Sequence, residues 1–183
     1  MEILDVLLER VSPTSLIEPG PSQEQLKKIL VAGACAPDHG RMKPWRFVLI
    51  QGTARLRFGD LMAESLARRE PDTNEVRLEA ERKKALRAPT IIGMAAALRD
   101  NPKVPEVEQI LAVGAAAQNI LIASHALGFG GFWRTGSLAY DPDVKRALGL
   151  SERDSIVGFI YIGSVGQSGR PHQVQIDEFV RYF

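Results

Sequence analysis

Cysteine is almost missing. Cys35 is the single one, so no disulfide can form within the chain and a multi-cysteine zinc site is excluded. Histidine is scarce too: His39, His125 and His172 have no metal-ligand spacing such as HExxH. No Cys/His/Asn or Ser/His/Asp set is legible around them. An excess of charge is also lacking. With 23 Lys+Arg against 22 Asp+Glu the net charge is +1, which gives no support to nucleic acid or an anionic membrane as the main partner. No apolar run reaches the roughly 18 residues of a membrane span. The opening MEILDVLLERVSP carries Glu2 and Asp5 where a secretory leader has basic residues. A soluble, cytoplasmic protein is the expectation.

What is present is the ordinary globular mixture: 183 residues, 45% apolar and 25% charged. That length suits one domain over 1–183, and it can bury roughly 70% of its unfolded surface. Residues 2–10 set Ile3, Leu4, Leu7 and Leu8 on one helical stripe that Pro13 ends. SPTSLIEPGP reads as a loop. Ser22 with Gln25 forms a capping box for a helix whose face holds Leu26, Ile29, Leu30 and Gly33. WRFVLI at 45–50 reads as a strand, and 53–69 and 75–87 as helices. Residues 90–98 begin as a strand and turn alanine-rich after Met94. The longest apolar helix, 106–127, is apolar on nearly all sides and is expected to be central and buried. Gly128 suits its left-handed cap. DPDVKRAL is a short helix with Pro142 in its first turn, and SIVGFIYIG at 155–163 is a buried strand. The tail DEFVRYF is aromatic, with no obvious partner within the chain. Helices and strands alternate without repeats, giving an α+β class with more helix than sheet. Pattern alone leaves the topology open.

Three segments can carry chemistry. In Arg10-Val11-Ser12 a charged fork and a neutral hydroxyl can share one phosphate; alternatively Arg10 is a solvated cation at a helix C-terminus. APDHGRMKPW (36–45) is a proline-stiffened loop whose His39, Arg41 and Lys43 can surround an anion, or it is a surface connection with solvated charges. GFGGFWRTG (128–136) offers glycines for close backbone approach, with Trp133 and Arg134 suited to a flat, electron-poor ring. Its plainer reading is a helix stop followed by an edge strand. Cys35 reads as a small buried hydrophobe, His125 as a packed histidine, and Arg82-Lys83-Lys84 as a solvated helix face.

These segments, in this order, resemble the FMN-dependent nitroreductase family, and the resemblance covers nearly the whole chain. It rests on LLER-x-S (7–12), EPGPSQEQLKKIL-x-AG (18–33), APDHGRMKPWRFVLI-x-G (36–52), RAPTII (87–92), KVP-x-x-EQ (103–109), GFGGFWRTG (128–136) and IVGFIYIG (156–163). The resemblance implies a nitroreductase-like α+β fold with a central, mostly antiparallel sheet between helices. It also implies a homodimer with FMN sites at the subunit interface. Arg10 and Ser12 match residues that contact phosphate and ribityl oxygens. His39 matches a residue that reaches the flavin from the other subunit, and Trp133, Arg134 and Thr135 match the stretch along the isoalloxazine and phosphate end. Val11 stands where many members have a second arginine, and Cys35 where compact members can carry one. Both positions belong to the pocket wall, so the two missing charges imply weaker FMN binding. A C-terminal cation on the phosphate has no clear counterpart beyond Arg170. The implied activity is ping-pong hydride transfer from NAD(P)H through FMN to nitroaromatic, quinone or similar acceptors. It needs no metal and no protein acid or base. The alternative is a non-catalytic or differently reacting flavin-binding protein on the same scaffold.

Overall fold

The computed structural model describes residues 3–170 and 174–183; His172 lies outside them. In chain order the elements are α1 (Ile3–Glu9), β1 (Ser15–Ile17), α2 (Gln23–Ala34), β2 (Trp45–Gln51), α3 (Ala54–Arg69), α4 (Glu75–Lys83), β3 (Thr90–Ala96), α5 (Glu106–Ala126), β4 (Gly130–Arg134), α6 (Pro142–Ala147) and β5 (Ser155–Gln167). Local chemistry starts and stops the helices. At α2 the Ser22 hydroxyl accepts from the Gln25 amide at 3.2 Å, while the Gln25 side chain accepts from the Ser22 amide at 2.9 Å. This is the reciprocal cap the sequence shows. Asn74 caps α4. Asp141 caps α6 ahead of Pro142. Gly128, at φ +85°, turns the chain out of α5.

The sheet is built on β5. β3 pairs with it antiparallel and β2 pairs with β3, while β4 and β1 each pair with β5, all antiparallel. Alternation along β3 and β5 splits the core into two layers. Ile91, Phe159 and Tyr161 face Phe58 and Met62 of α3 and Val144 of α6. Ile92, Met94, Ile160 and Ile162 face Leu26 and Ile29 of α2 and Val113, Ala117 and Ile120 of α5. With helices on both sides, all seven residues of β3 are buried, which is why TIIGMAA reads as a continuous apolar run instead of an alternation.

Several expectations are corrected. SPTSLIEPGP is not all loop: Ser15–Ile17 pairs with Ser164–Gln167. The strand read over 90–98 stops at Ala96, with a bulge between Met94 and Ala95. β5 runs four residues beyond Gly163. The helix expected over 75–87 tightens into a 3-10 turn at Lys84–Leu86. α5 is not buried all round, because Val107 and Leu111 are exposed. Cys35 is exposed at the C-cap of α2, not buried. The apolar face Leu26–Ile29–Gly33 continues three residues on to the buried Ala36, which turns position 35 outward. The stripe on α1 also faces outward: Ile3, Leu4, Leu7 and Leu8 are exposed and Val6 alone packs inward. Arg82, Lys83 and Lys84 are tied to Glu75, Glu79 and Glu81, as a solvated charged face should be.

Candidate functional site

After α1 the chain is pulled back onto the sheet. The Thr14 amide donates to the Gln167 carbonyl at 3.0 Å, and β1 then zips along the end of β5. This lays residues 12–16 against β4. The fit needs glycine at 130, where a Cβ would stand 2.8 Å from both Leu16 Cδ2 and Pro13 Cγ. A cleft of about 710 Å³ opens beside this contact, its wall formed by Ser12, Thr14, Arg87, Phe132, Trp133 and Arg134 among others. Among the described residues no carboxylate lines it.

The cleft floor is aromatic. Phe132 stacks on Tyr161, centroids 5.0 Å apart and planes 14° from parallel. The Arg134 guanidinium lies 5.0 Å from the Phe132 centroid, in cation–π range. Burial pushes the Tyr161 hydroxyl up to about 12, with the Arg134 and Arg87 guanidiniums pulling it the other way. Tyr161 is therefore a neutral phenol at physiological pH, and both arginines are near enough to act on it. Trp133 points to the other face of β4. Its Nε1 donates to the Val157 carbonyl at 3.3 Å, and the far edge of the ring reaches α5 beside Gly114. The indole is held at one edge and 38% exposed, a flat surface offered to solvent.

Arg10, two residues before Ser12, is half-buried just beyond α1, and its amide closes the last turn on the Val6 carbonyl. Its Nη1 is buried with no hydrogen-bond partner among the described residues. A buried charged donor left unpaired costs more than the ~1–3 kcal/mol of a neutral one. The fold thus carries an open request for an acceptor at Arg10. Val11 is half-buried beside Gly169.

His39 and Cys35 sit elsewhere. His39 opens a 3-10 turn (His39–Arg41) and pairs through Nδ1 with the Glu108 carboxylate at the start of α5. The loop around it is tightly specified. Asp38 accepts from the Lys43 amide at 2.5 Å, and Arg99 donates to the Met42 carbonyl at 2.5 Å. Arg41 and Lys43 hold φ of +52° and +47°. Two non-glycine residues in left-handed conformations mark a loop whose shape is imposed by its surroundings. Neither His39 nor Cys35 lines the cleft of their own chain.

Of the residues expected from sequence, the structure gathers Ser12, Trp133 and Arg134 on one cleft, with Arg10 and Val11 adjoining Ser12 and the exposed Thr135 just past Arg134. His39 and Cys35 are on a separate face, and Arg170 is exposed and off the cleft wall. GFGGFWRTG is both things its sequence allowed, a helix stop and a strand, β4, that carries the cleft's aromatic and cationic wall. Sequence reasoning missed Thr14, Arg87 and Phe132 as wall residues. Arg87 stood in a matched segment, RAPTII, but nothing local marks it as part of a site. Among the described residues there is no cluster of His, Cys, Asp and Glu able to hold a metal ion.

Comparison with known proteins shows the family and the fold. The model of the Nitroreductase family matches residues 17–164. The chain is 41% identical over 164 residues to "Putative NAD(P)H nitroreductase YdjA" of Escherichia coli strain K12, spanning 90% of this chain and 88% of that one. Among solved structures, the nitroreductase-like family protein from Bacillus cereus superimposes with a TM-score of 0.86 at 24% identity, over 100% of this chain and 96% of that one. A "putative nitroreductase in complex with FMN" from Desulfovibrio desulfuricans gives 0.76 at 26% identity, over 100% and 97% of the two chains.

Proposed function

The chain belongs to the nitroreductase family, and from that premise we propose that it is an FMN-dependent oxidoreductase that takes a hydride from NAD(P)H and delivers it to a nitroaromatic, quinone or similar acceptor. The observation that carries this reading is the unsatisfied Nη1 of Arg10, next to a cleft with cations and hydroxyls but, among the described residues, no carboxylate on its wall. Those residues fit a flat aromatic ring joined to a phosphate. Bound FMN would supply the two-electron chemistry, taking a hydride from one partner and giving it to the next.

The protein's part is binding, orientation and charge. Arg10 and Ser12 would hold phosphate and ribityl oxygens, a charged fork beside a neutral donor. Arg134 and Thr135 would line the ring, and Trp133, fixed through its Nε1 on the other face of β4, would offer its exposed indole edge to it. Arg134, propped on Phe132, is a cation with no carboxylate beside it on the wall, available to favour the electron-rich form of the ring. No protein acid or base is required, because solvent supplies the proton. Donor and acceptor would use the one cleft in turn, so the expected kinetics are ping-pong. Val11, in place of a possible arginine, would leave the cofactor more weakly held, and Cys35, off its own chain's cleft, would do so only toward the partner's cofactor.

The site is completed by a second copy of the chain. His39 does not line its own chain's cleft and is placed by a rigid loop, and we assign it to the cofactor of the partner in a two-fold homodimer. The exposed apolar surface of α1, with Ile3, Leu4 and Leu8, and the exposed tail residues Phe179, Tyr182 and Phe183 supply surface for that contact.

The test is the absorption spectrum of the purified protein mixed with FMN, followed by anaerobic NADH or NADPH. Bound flavin that is bleached by the nicotinamide and recolours on adding a quinone or nitroaromatic supports the proposal. Bound flavin that neither nicotinamide bleaches supports the alternative, a flavin-binding protein without this turnover. No flavin binding at all overturns both.

A further inference from the structure

Arg87 has no assigned role, yet it faces the same cleft as Ser12, Trp133 and Arg134. Its backbone is fixed. Its amide closes the 3-10 turn on Lys84, the Arg55 guanidinium donates to the carbonyl of the next residue, Ala88, at 3.0 Å, and every residue from 88 to 96 is buried. Arg87 is thus the last exposed residue before a sealed strand, and its side chain lies at the cleft wall. The cations around it are occupied. Lys84 is tied to Glu81, Arg82 to Glu75 and Arg55 to Glu18. Arg87 makes no ion pair and no side-chain hydrogen bond among the described residues. A surface arginine in a chain of nearly balanced charge usually finds a carboxylate; one left unpaired on a wall without carboxylates is available to a ligand. Arg87 and Arg134 line the same cleft, and both pull on the Tyr161 hydroxyl beneath Phe132 against burial and the Glu81 carboxylate, which Lys84 holds.

We infer that Arg87 is a further cofactor-site residue, which with Arg134 favours the reduced form of the flavin by facing the negative charge that the ring acquires on reduction. The inference rests on the reading of this cleft as the FMN site. The balance is simple. A hydride brings two electrons and one proton to a neutral ring and leaves it with one negative charge. A fixed guanidinium therefore binds the reduced ring more tightly than the oxidised one. Arg87 transfers no atom, and its effect is on the equilibrium between the two forms.

The experiment compares the wild-type chain with Arg87→Met, which keeps the apolar stem, and Arg87→Lys, which keeps the charge. Oxidised FMN is titrated by quenching of its fluorescence, and the two-electron midpoint potential of the bound flavin is measured against a reference dye. In Arg87→Met we expect oxidised FMN to bind within about threefold of wild type. The preference for reduced over oxidised flavin should fall about tenfold, which for a two-electron couple lowers the potential by about 30 mV. Arg87→Lys should recover most of that preference. Flavin bound by Arg87→Met at an unchanged potential overturns the inference. So does a variant that loses oxidised FMN outright while Arg87→Lys keeps it, because the charge would then serve the phosphate. A wild-type chain that binds no FMN overturns the reading of the cleft itself, and the titration alone identifies that outcome before any potential is measured.

Discussion

Gly158 and Trp133 are fitted to each other across β4 and β5: a Cβ at position 158 would stand 2.1 Å from the indole Nε1 and 2.7 Å from the Arg134 carbonyl. The backbone there has φ of +152°, which side chains also resist. The ring on the cleft rim is therefore held by an absence of side chain on the neighbouring strand.

Gly158→Ala should displace Trp133 and cost about 1–3 kcal/mol of stability by overpacking. FMN affinity should fall with it. Chemical denaturation and flavin titration check the two effects. A variant with wild-type stability and wild-type affinity would show that the indole can move aside freely.

Arg10→Ala separates a ligand-binding arginine from a helix-end one. Removing a charge-assisted hydrogen bond costs about 1.5–3 kcal/mol, so FMN should bind roughly 10- to 150-fold more weakly. The apo protein should not lose thermal stability, because the donor removed has no partner there. A drop of several degrees in apo melting temperature would instead make Arg10 a structural residue.

His39→Gln keeps a hydrogen-bonding side chain but removes a protonatable ring. It should retain most turnover at saturating FMN, whereas His39→Ala should mainly lose FMN. Stopped-flow bleaching with FMN fully bound decides between binding and catalysis. A collapse in the Gln variant would make His39 a proton donor.

Asp141 gives a pH dependence unrelated to the site. Burial pushes its carboxyl up, but hydrogen bonds from Ser65, Arg68 and the amides of Asp143 and Val144 outweigh this and hold it at about 2. Arg68 donates at 2.9 Å. A carboxyl that ionises lower in the folded chain than in the unfolded one stabilises the fold above its unfolded pKa. That stability is lost as the pH falls through the folded value. The contribution is on the order of 2 kcal/mol, present above about pH 5 and gone by about pH 1. Asp141→Asn should therefore destabilise at neutral pH and approach wild type under acid, as denaturation at several pH values will read.

Equilibrium sedimentation should find an isologous dimer. Deleting residues 174–183, all exposed within the chain, should weaken it while leaving the monomer folded. A wild-type monomer that retains FMN would remove the shared site from the proposal.

The site was legible where one short segment carried its own chemistry. Arg10, Ser12, Trp133 and Arg134 each stand beside residues with ligand-binding chemistry, and family resemblance turned that chemistry into a proposal. Thr14 and Arg87 had no such neighbours. Thr14 reaches the cleft because β1 pairs with the end of β5, a contact between three residues and a partner about 150 positions away, and Arg87 because β3 pairs with β5. A three-residue strand between prolines is too short to show a period. The helices were read well because capping is local, as at Ser22 and Asp141. Cys35 was misplaced because the helix phase that buries Ala36 was not carried through the cap.

β5 also fixes when this protein can fold. It is the strand that touches β1, β3 and β4, and it begins at Ser155, long after β3 ends at Ala96. During synthesis β2 and β3 can pair as soon as both exist, but the growing chain holds an open edge on β3 until β5 has been made. At about 5–20 residues per second that edge, with its uninterrupted apolar run, waits several seconds for its partner. A ribosome that stalls or stops before residue 155 releases a chain with no central strand and a sticky hairpin. Truncation at the far end is therefore more damaging than the sequence order of the cleft residues suggests.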